Sequence, residues 1–512
     1  MSVTLIRTAA ADTSARQGAI FFNPGGPGGD GLFFAPNYAY AWSQGDDSVP
    51  GDLALKKMQQ QYDLIGFSPR GVGNSTRLYC GLNEMKVPYY AAAIDRREAN
   101  IQKMIRDGQL EAKACQKNPV TPYINTEATV RDMDLARELL GEQRLNYIGY
   151  SYGTWLGSWY AKRFPERAGR MLLDGNMPWH TNMQLNWETD PLAFTRAFTD
   201  VAAPYLSRHA DEYGLTNNPS DLYAQVLSLG EPLRSVVRDN LFDMLYGVGN
   251  YPDMGVLLRV ALELDGRLTA QPKLTDSDLL GQLADLDLFG DSELNDVGLE
   301  MAASLLEQRH HLLEQLPEQV YLDESAATMT AVMCNDTPWT KDLNYWRDLD
   351  NRNAQQYPLF GGDLIAINCI HWKGGPSVQK PEVPANMPPL LMLQNEYDPA
   401  TPLEGARAAL DSVPGSRMIL IDNEASHTAF PYGRDCVDLP ITEYFLKGTL
   451  PQDRISMCEA LPLPGEEQVY EAGQDYGGKA LRPLSQAAPD AQAALQENRD
   501  LIQQNAAEFM RR

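Results

Sequence analysis

One serine in this chain sits in a setting that can turn its hydroxyl on a carbonyl carbon. Gly149-Tyr150-Ser151-Tyr152-Gly153 joins a short apolar run, Leu145-Asn146-Tyr147-Ile148, to a helix-like stretch over residues 154–161. A serine on a sharp strand-to-helix turn needs small residues two positions before and after it, because strand and helix approach closely there. The same turn lifts the hydroxyl clear of the sheet and sets backbone N–H groups beside the reacting carbonyl. Alone the pattern is a weak signal, expected by chance in roughly one chain of this length in six at ordinary residue frequencies. The partners of Ser151 have to carry the argument.

Such a serine is followed along the chain by an acid and then by a histidine. Of the six histidines, His180, His209, His310, His311, His371 and His427, only His427 follows the last predicted strand. A loop at the carboxyl end of the sheet is where a general base must sit to reach the hydroxyl. Asp398, in Asn395-Glu396-Tyr397-Asp398-Pro399-Ala400-Thr401-Pro402, follows the preceding strand directly. A carboxylate there can accept the Nδ1–H of the histidine and fix its tautomer. Its rivals are Glu396, two residues away, and Asp174, at the end of the strand after the nucleophile. The oxyanion site is expected in Asn23-Pro24-Gly25-Gly26-Pro27-Gly28-Gly29, with Gly26 favoured as donor over Gly25, and Tyr152 as the second donor.

Two motifs compete with this reading. Gly26-Pro27-Gly28-Gly29-Asp30-Gly31 satisfies the glycine spacing of a dinucleotide-binding turn. Pro27 and residues 32–37 do not promise the helix whose N-terminus a pyrophosphate needs, so no nucleotide or other cofactor is expected. His310, His311 and Glu314 can share a helix face, but solvated surface residues are the simpler reading. No metal site is expected.

The elements that position these residues read as α/β. Strand-like segments cover residues 3–7, 19–22 and 63–67. A helix over 127–140 carries Asn125 or Thr126 as cap, the apolar stripe Val130, Met133, Ala136 and Leu140, and Gly141 as stop. The serine strand, its helix and a further strand at 171–173 follow. This alternation predicts a mostly parallel sheet covered by helices on both faces. Residues 1–178 form the first part of that core. From Pro178 the rhythm breaks, and residues 179–388 read as helices and loops, an insertion placed to cap the active-site edge. The strand pattern resumes at 390–393 and 417–421, so residues 389–464 form the second part of the core. Residues 465–512 form a polar tail with one expected helix over 489–510.

The formal charge of −25 repels phosphate backbones and anionic membranes, which argues against nucleic acid as a partner. It favours cationic ligands, including a free peptide N-terminus. No apolar run approaches the about 18 residues of a membrane span. Residues 3–7 already read as a strand, so the natural N-terminus is expected upstream, with a secretion signal removed. Six cysteines fall into three sequence-local pairs: Cys80 with Cys115, Cys334 with Cys369, and Cys436 with Cys458. None lies in a Cys-x-x-Cys or in zinc-like spacing. Disulfides between local partners are expected, although sequence leaves other pairings and free buried thiols open.

The segment Asn23 to Gly29, the run Tyr62-Asp63-Leu64-Ile65-Gly66-Phe67-Ser68-Pro69-Arg70-Gly71-Val72-Gly73-Asn74-Ser75-Thr76, the nucleophile turn, Asp398-Pro399-Ala400-Thr401-Pro402 and His427 together resemble a known family. They resemble the secreted tripeptidyl aminopeptidase branch of the α/β-hydrolase serine peptidases, related to the prolyl aminopeptidases. Residues 436–458 resemble that family's C-terminal region. The resemblance implies an α/β-hydrolase fold, a Ser151, Asp398, His427 triad, a helical cap, disulfides and a secreted or periplasmic location. It also implies release of short peptides or single residues from a free N-terminus, with acidic cap residues binding the ammonium. No cap residue can be matched; Asp336, Glu324 and Asp363 are candidates by charge alone. The family usually carries Asp where this chain has Ser68. A carboxylesterase using the same machinery, and an inactive hydrolase-like binding protein, are the alternatives.

Overall fold

Several strands of this chain are buried at every position, the mark of a sheet covered on both faces. In the computed structural model, which describes residues 1–91 and 93–473, ten strands occur in chain order. They are β1 Thr4–Thr8, β2 Ala19–Asn23, β3 Asp63–Ser68, β4 Cys80–Lys86, β5 Leu145–Tyr150, β6 Ala168–Asp174, β7 Glu318–Leu322, β8 Leu391–Asn395, β9 Arg417–Asp422 and β10 Ile455–Glu459. Eight form one sheet in the order β1-β3-β2-β5-β6-β8-β9-β10. Only β1 runs antiparallel, against β3; the other pairings are parallel. The expected mostly parallel sheet with helices on both faces is therefore what forms.

Side chains alternate between the two faces with the strand period of two. Phe21, Ile65, Tyr147, Met171, Leu173 and Met392 enter one apolar cluster, with Trp155, Leu156 and Trp159 of the helix Tyr152–Arg163. Ile20, Phe22, Leu64, Ile148, Leu172 and Leu391 enter the other, beneath the helices Phe34–Ser43, Pro50–Gln61 and Asp435–Lys447. The helix Thr126–Leu139 forms as expected, capped by Asn125, whose Oδ1 accepts from Ala128 N at 2.8 Å.

The long insertion divides in its packing. Phe194, Leu206, Val237, Leu258 and Leu305, on successive helices, build an apolar core of their own, joined by Phe360. Residues further on pack against the sheet instead: Val320, Ala331, Trp339, Trp346 and Cys369 share the cluster of Tyr147 and Trp155. The stretch expected to be free of strands contains β7, paired antiparallel with β4. Each buries alternate residues, Cys80 and Leu82 in β4 and Val320 and Leu322 in β7, a pattern too short to stand out from the sequence around it. The expected tail helix lies outside the described residues.

The three local cysteine pairs are disulfides, with Cα atoms 4.6, 4.9 and 5.7 Å apart. They tie β4 to the helix Glu98–Lys117, the helix Glu324–Asp336 to Cys369, and the helix Asp435–Lys447 to β10. No helix among the described residues is long and apolar enough to cross a membrane. Replacing Cys334 and Cys369 together by serine opens a 35-residue loop; the expected loss is about 3–4 kcal/mol if chain entropy dominates, read from the urea-denaturation midpoint. An unchanged midpoint would show that this link carries no stability.

Candidate active site

The turn at Ser151 is as sharp as its sequence predicts. Ser151 has φ 56° and ψ −122°, a region that costs a non-glycine residue about 1–3 kcal/mol. Its N–H donates to the Asp174 carbonyl at 2.9 Å, and its carbonyl accepts from Thr154 N at 2.8 Å and Thr154 Oγ1 at 2.7 Å. The flanking glycines are steric requirements. A Cβ on Gly149 would stand 2.4 Å from Tyr147 Cε1 and 2.5 Å from the Gly153 carbonyl; one on Gly153 would stand 2.9 Å from the Asn23 carbonyl.

The glycine-rich turn after β2 lies directly against this serine. Gly25 has φ +99°, and a Cβ there would fall 2.5 Å from Tyr150 O, 2.8 Å from Ser151 Cβ and 3.2 Å from Tyr152 N. Its own N–H is taken by Asn23 Oδ1 at 3.1 Å. The N–H groups of Gly26 and Tyr152 bond no acceptor among the described residues. Two open N–H groups flanking a serine are what a developing oxyanion needs. Gly28 is held equally close to the insertion, where a Cβ would meet Ser325 O at 2.4 Å. The glycines thus serve close packing around Ser151. A helix, Phe34–Ser43, does follow the turn, contrary to the sequence expectation. Pro36 is accommodated in its first turn, where backbone N–H groups have no intrahelical acceptor to lose.

His427 and Asp398 meet at the same edge of the sheet. His427 Nδ1 lies 2.9 and 3.0 Å from the two carboxylate oxygens of Asp398. Asp398 is fully buried and also accepts from Ala400 N, Thr401 N and Thr401 Oγ1 at 2.8–3.0 Å. With Nδ1 donating to the carboxylate, Nε2 is left as the ring's proton acceptor. Asn395 Nδ2 braces the loop by donating to the carbonyls of Ser426 and Thr428 at 2.6 and 3.2 Å. His427 and Ser151 share no direct hydrogen bond among the described residues, a contact that commonly tightens only when substrate is present. The ring nevertheless borders the turn: a Cβ on Gly175 would lie 3.2 Å from His427 Cε1, and Asp174, one residue earlier, holds Ser151 N.

Residues 18–225 match the family model for the alpha/beta hydrolase fold, and residues 357–472 match that of TAP-like proteins. The chain has the α/β-hydrolase fold. It is 27% identical over 473 residues to a tripeptidyl aminopeptidase of Streptomyces lividans, covering 88% of this chain and 79% of that protein. It is also 27% identical to serine protease Hip1 of Mycobacterium tuberculosis, over 88% and 82% of the two chains. Carboxylesterase B of the same organism is 28% identical over 86% and 79%. The resemblance read from the motifs is borne out by the two family models and these relatives.

Within this fold the two rival acids are engaged elsewhere. Asp174 Oδ2 accepts from Ala429 N and Phe430 N at 2.9 and 2.7 Å, and burial pushes its carboxyl up to about 7. Glu396 accepts from Asn423 N at 3.0 Å, its affinity for a proton raised by burial and by Asp422. His310 and His311 pair with different carboxylates, Glu314 at 3.1 Å and Glu318 at 2.6 Å, on the protein surface. Where the family usually has an acid at Ser68, the hydroxyl donates to Asp30 Oδ1 at 2.7 Å, so Asp30 brings a carboxylate to that spot.

The three carboxylates chosen by charge are all committed. Glu324 pairs with Arg77 at 3.2 Å, and Asp363 pairs with Arg238. Asp336 is buried, accepting from Thr126 N at 2.8 Å and Trp155 Nε1 at 3.1 Å, and burial pushes it up to about 7. Sequence reasoning missed Asp190 and Tyr246. Asp190 is half-buried, bonded by Asn186 Nδ2 at 3.2 Å, with no cation pairing among the described residues. Burial and the charge of Asp398 push its carboxyl well above the usual range. Tyr246 gives its carbonyl to His427 N at 2.8 Å and sets its ring edge-on to the imidazole, 5.5 Å between centroids. The one sequence clue to Asp190 is the Asp190-Pro191 pair inside an otherwise helical run.

Substituting Gly25→Ala forces a Cβ into Tyr150 O and Ser151 at a φ that L-residues avoid. The expected result is a loss of at least about 100-fold in kcat on any acyl substrate, with KM little changed. Turnover within about threefold of the parent protein would show that the turn does not set the oxyanion site.

Proposed function

We propose that this protein is a secreted serine exopeptidase that removes short peptides, tripeptides or single residues, from a free N-terminus through an acyl-enzyme on Ser151. His427 Nε2 takes the Ser151 proton as the hydroxyl attacks the scissile carbonyl. Asp398 holds the ring and stabilises the imidazolium, and the N–H groups of Gly26 and Tyr152 receive the oxyanion. The imidazolium then protonates the leaving amine, and a water activated by His427 releases the peptide from Ser151.

The observation that carries the exopeptidase reading is Asp190. Asp190 is half-buried in the insertion near Asp398 and pairs with no cation among the described residues, so a cationic ligand would favour its charged form. The ammonium of a peptide N-terminus is such a ligand, and its capture would set which carbonyl reaches Ser151. The names of the peptidase relatives support the same chemistry, and three disulfides support an oxidising location. A second reading, a carboxylesterase with the same machinery, is supported by the name of another relative. Under it the ammonium would be irrelevant.

Rates on free and N-acetylated tripeptide anilides separate the two. The exopeptidase reading expects the acetylated substrate to be turned over at least about 100-fold more slowly, and Asp190→Asn to lose about 30- to 100-fold in kcat/KM on the free amine alone. Equal rates on both substrates, with a preference for esters, would reject it. Labelling by a fluorophosphonate should vanish in Ser151→Ala; a parent protein that takes up no label would reject both readings.

A further inference from the structure

Asp174 touches both halves of the catalytic machinery without belonging to the triad. Its carbonyl accepts the Ser151 N–H at 2.9 Å, while its Oδ2 accepts the N–H groups of Ala429 and Phe430 at 2.9 and 2.7 Å, two and three residues past His427. The loop between them needs a clamp, because Thr428 is held at φ +66°, where a β-branched residue does not stay unaided. From the other side Tyr150 OH donates to the Phe430 carbonyl at 3.1 Å and is itself braced by Tyr38 OH at 2.8 Å. All three side chains are buried.

We infer that Asp174 and Tyr150 are positioning residues that fix the His427 loop to the strand ends bearing Ser151, so that imidazole and hydroxyl keep one separation through the reaction. The inference rests on the Ser151–His427 reading above and gives Tyr150 of the nucleophile pentapeptide a role of its own. Asp174 Oδ1 is buried with no hydrogen-bond partner among the described residues, so a neutral carboxyl, or an amide of the same shape, can serve as the clamp. Burial raises Asp174 to about 7. It therefore becomes negative as pH rises through that value. The charged or titratable groups that it faces are His427, Asp398, Tyr38 and Tyr150. An amide there stays neutral at every pH and so tests the clamp without that change of charge.

The test compares Asp174→Ala, Asp174→Asn and Tyr150→Phe, with active sites counted by fluorophosphonate titration so that unfolded protein drops out. Per titrated site, Asp174→Ala should lose about 30- to 100-fold in kcat with KM within about twofold. Asp174→Asn, whose amide oxygen can accept both N–H groups, should recover to within about fivefold of the parent. Tyr150→Phe, which removes one hydroxyl, should lose about three- to tenfold in kcat alone. Parent-like kcat per site in Asp174→Ala would overturn the proposal, as would an asparagine variant no better than alanine. A parent protein that cannot be titrated would reject the Ser151 reading itself, a result distinct from either.

Discussion

The separation between the β5–helix turn and the glycine turn after β2 governs everything else at this site. Three backbone segments meet there with no room for a side chain: Gly25 against Tyr150 and Ser151, Gly149 against Gly153, and Gly153 against Asn23. The approach leaves Ser151 in a strained conformation of about 1–3 kcal/mol. That cost is small beside the burial achieved by the helix next to the serine. Trp155, Leu156, Trp159 and Tyr160 are fully buried on that helix, and each contributes about 1.5–3 kcal/mol of transfer free energy. A helix packed that firmly cannot slide back to relieve one residue. The strain persists because its relief would expose four large side chains.

Burial also sorts the carboxylates, and hydrogen-bond supply decides which of them suits which task. Asp398 is surrounded by two backbone N–H groups, a threonine hydroxyl and the imidazole. Those contacts fix both carboxylate oxygens against the ring, which is what the acid partner of a histidine requires. Asp174 and Asp336 are equally buried, have raised proton affinities despite their donors, and brace backbone. Asp190 has one amide donor only. Of these four, it alone is half-exposed and takes no backbone N–H among the described residues.

The chemistry was legible in the sequence wherever it depends on chain order and glycine spacing. Ser151, Asp398 and His427 could be named because each follows a predicted strand, and strand ends of a parallel sheet share an edge. The choice of Asp398 over Glu396 and Asp174 rested on chain order and loop position; the hydrogen bond to His427 needed coordinates. What sequence could not carry was the insertion. Its first part buries residues against itself, as Phe194 and Leu258 do, and its second part packs on the sheet through Trp339 and Trp346. Both read as amphipathic helices, and helical periodicity does not say which surface a stripe will cover. Asp190 and Tyr246 lie in that stretch, so the residues closest to specificity were the ones least visible. The helix Phe34–Ser43 was missed because prolines and aromatics mask a weak periodicity that the sheet nevertheless rewards.

The long insertion is hydrogen-bonded to the loops that carry His427 and Asp398. The backbone N–H of His427 is held by the Tyr246 carbonyl, and Asn186 Nδ2 donates to Ala400 O within the acid loop at 3.0 Å. On the far side the chain after β10 returns across the helices. Tyr205 OH donates to Pro464 O at 3.0 Å, Arg208 pairs with Glu466 at 2.7 Å and stacks on Tyr470, and Gly473 N donates to Asp200 O at 3.1 Å. A cap hinged only at its ends could swing without disturbing the histidine. This one carries a hydrogen bond to the histidine backbone and is strapped by the segment after the last strand. Large motion of the cap would therefore displace His427 from the turn that holds Ser151.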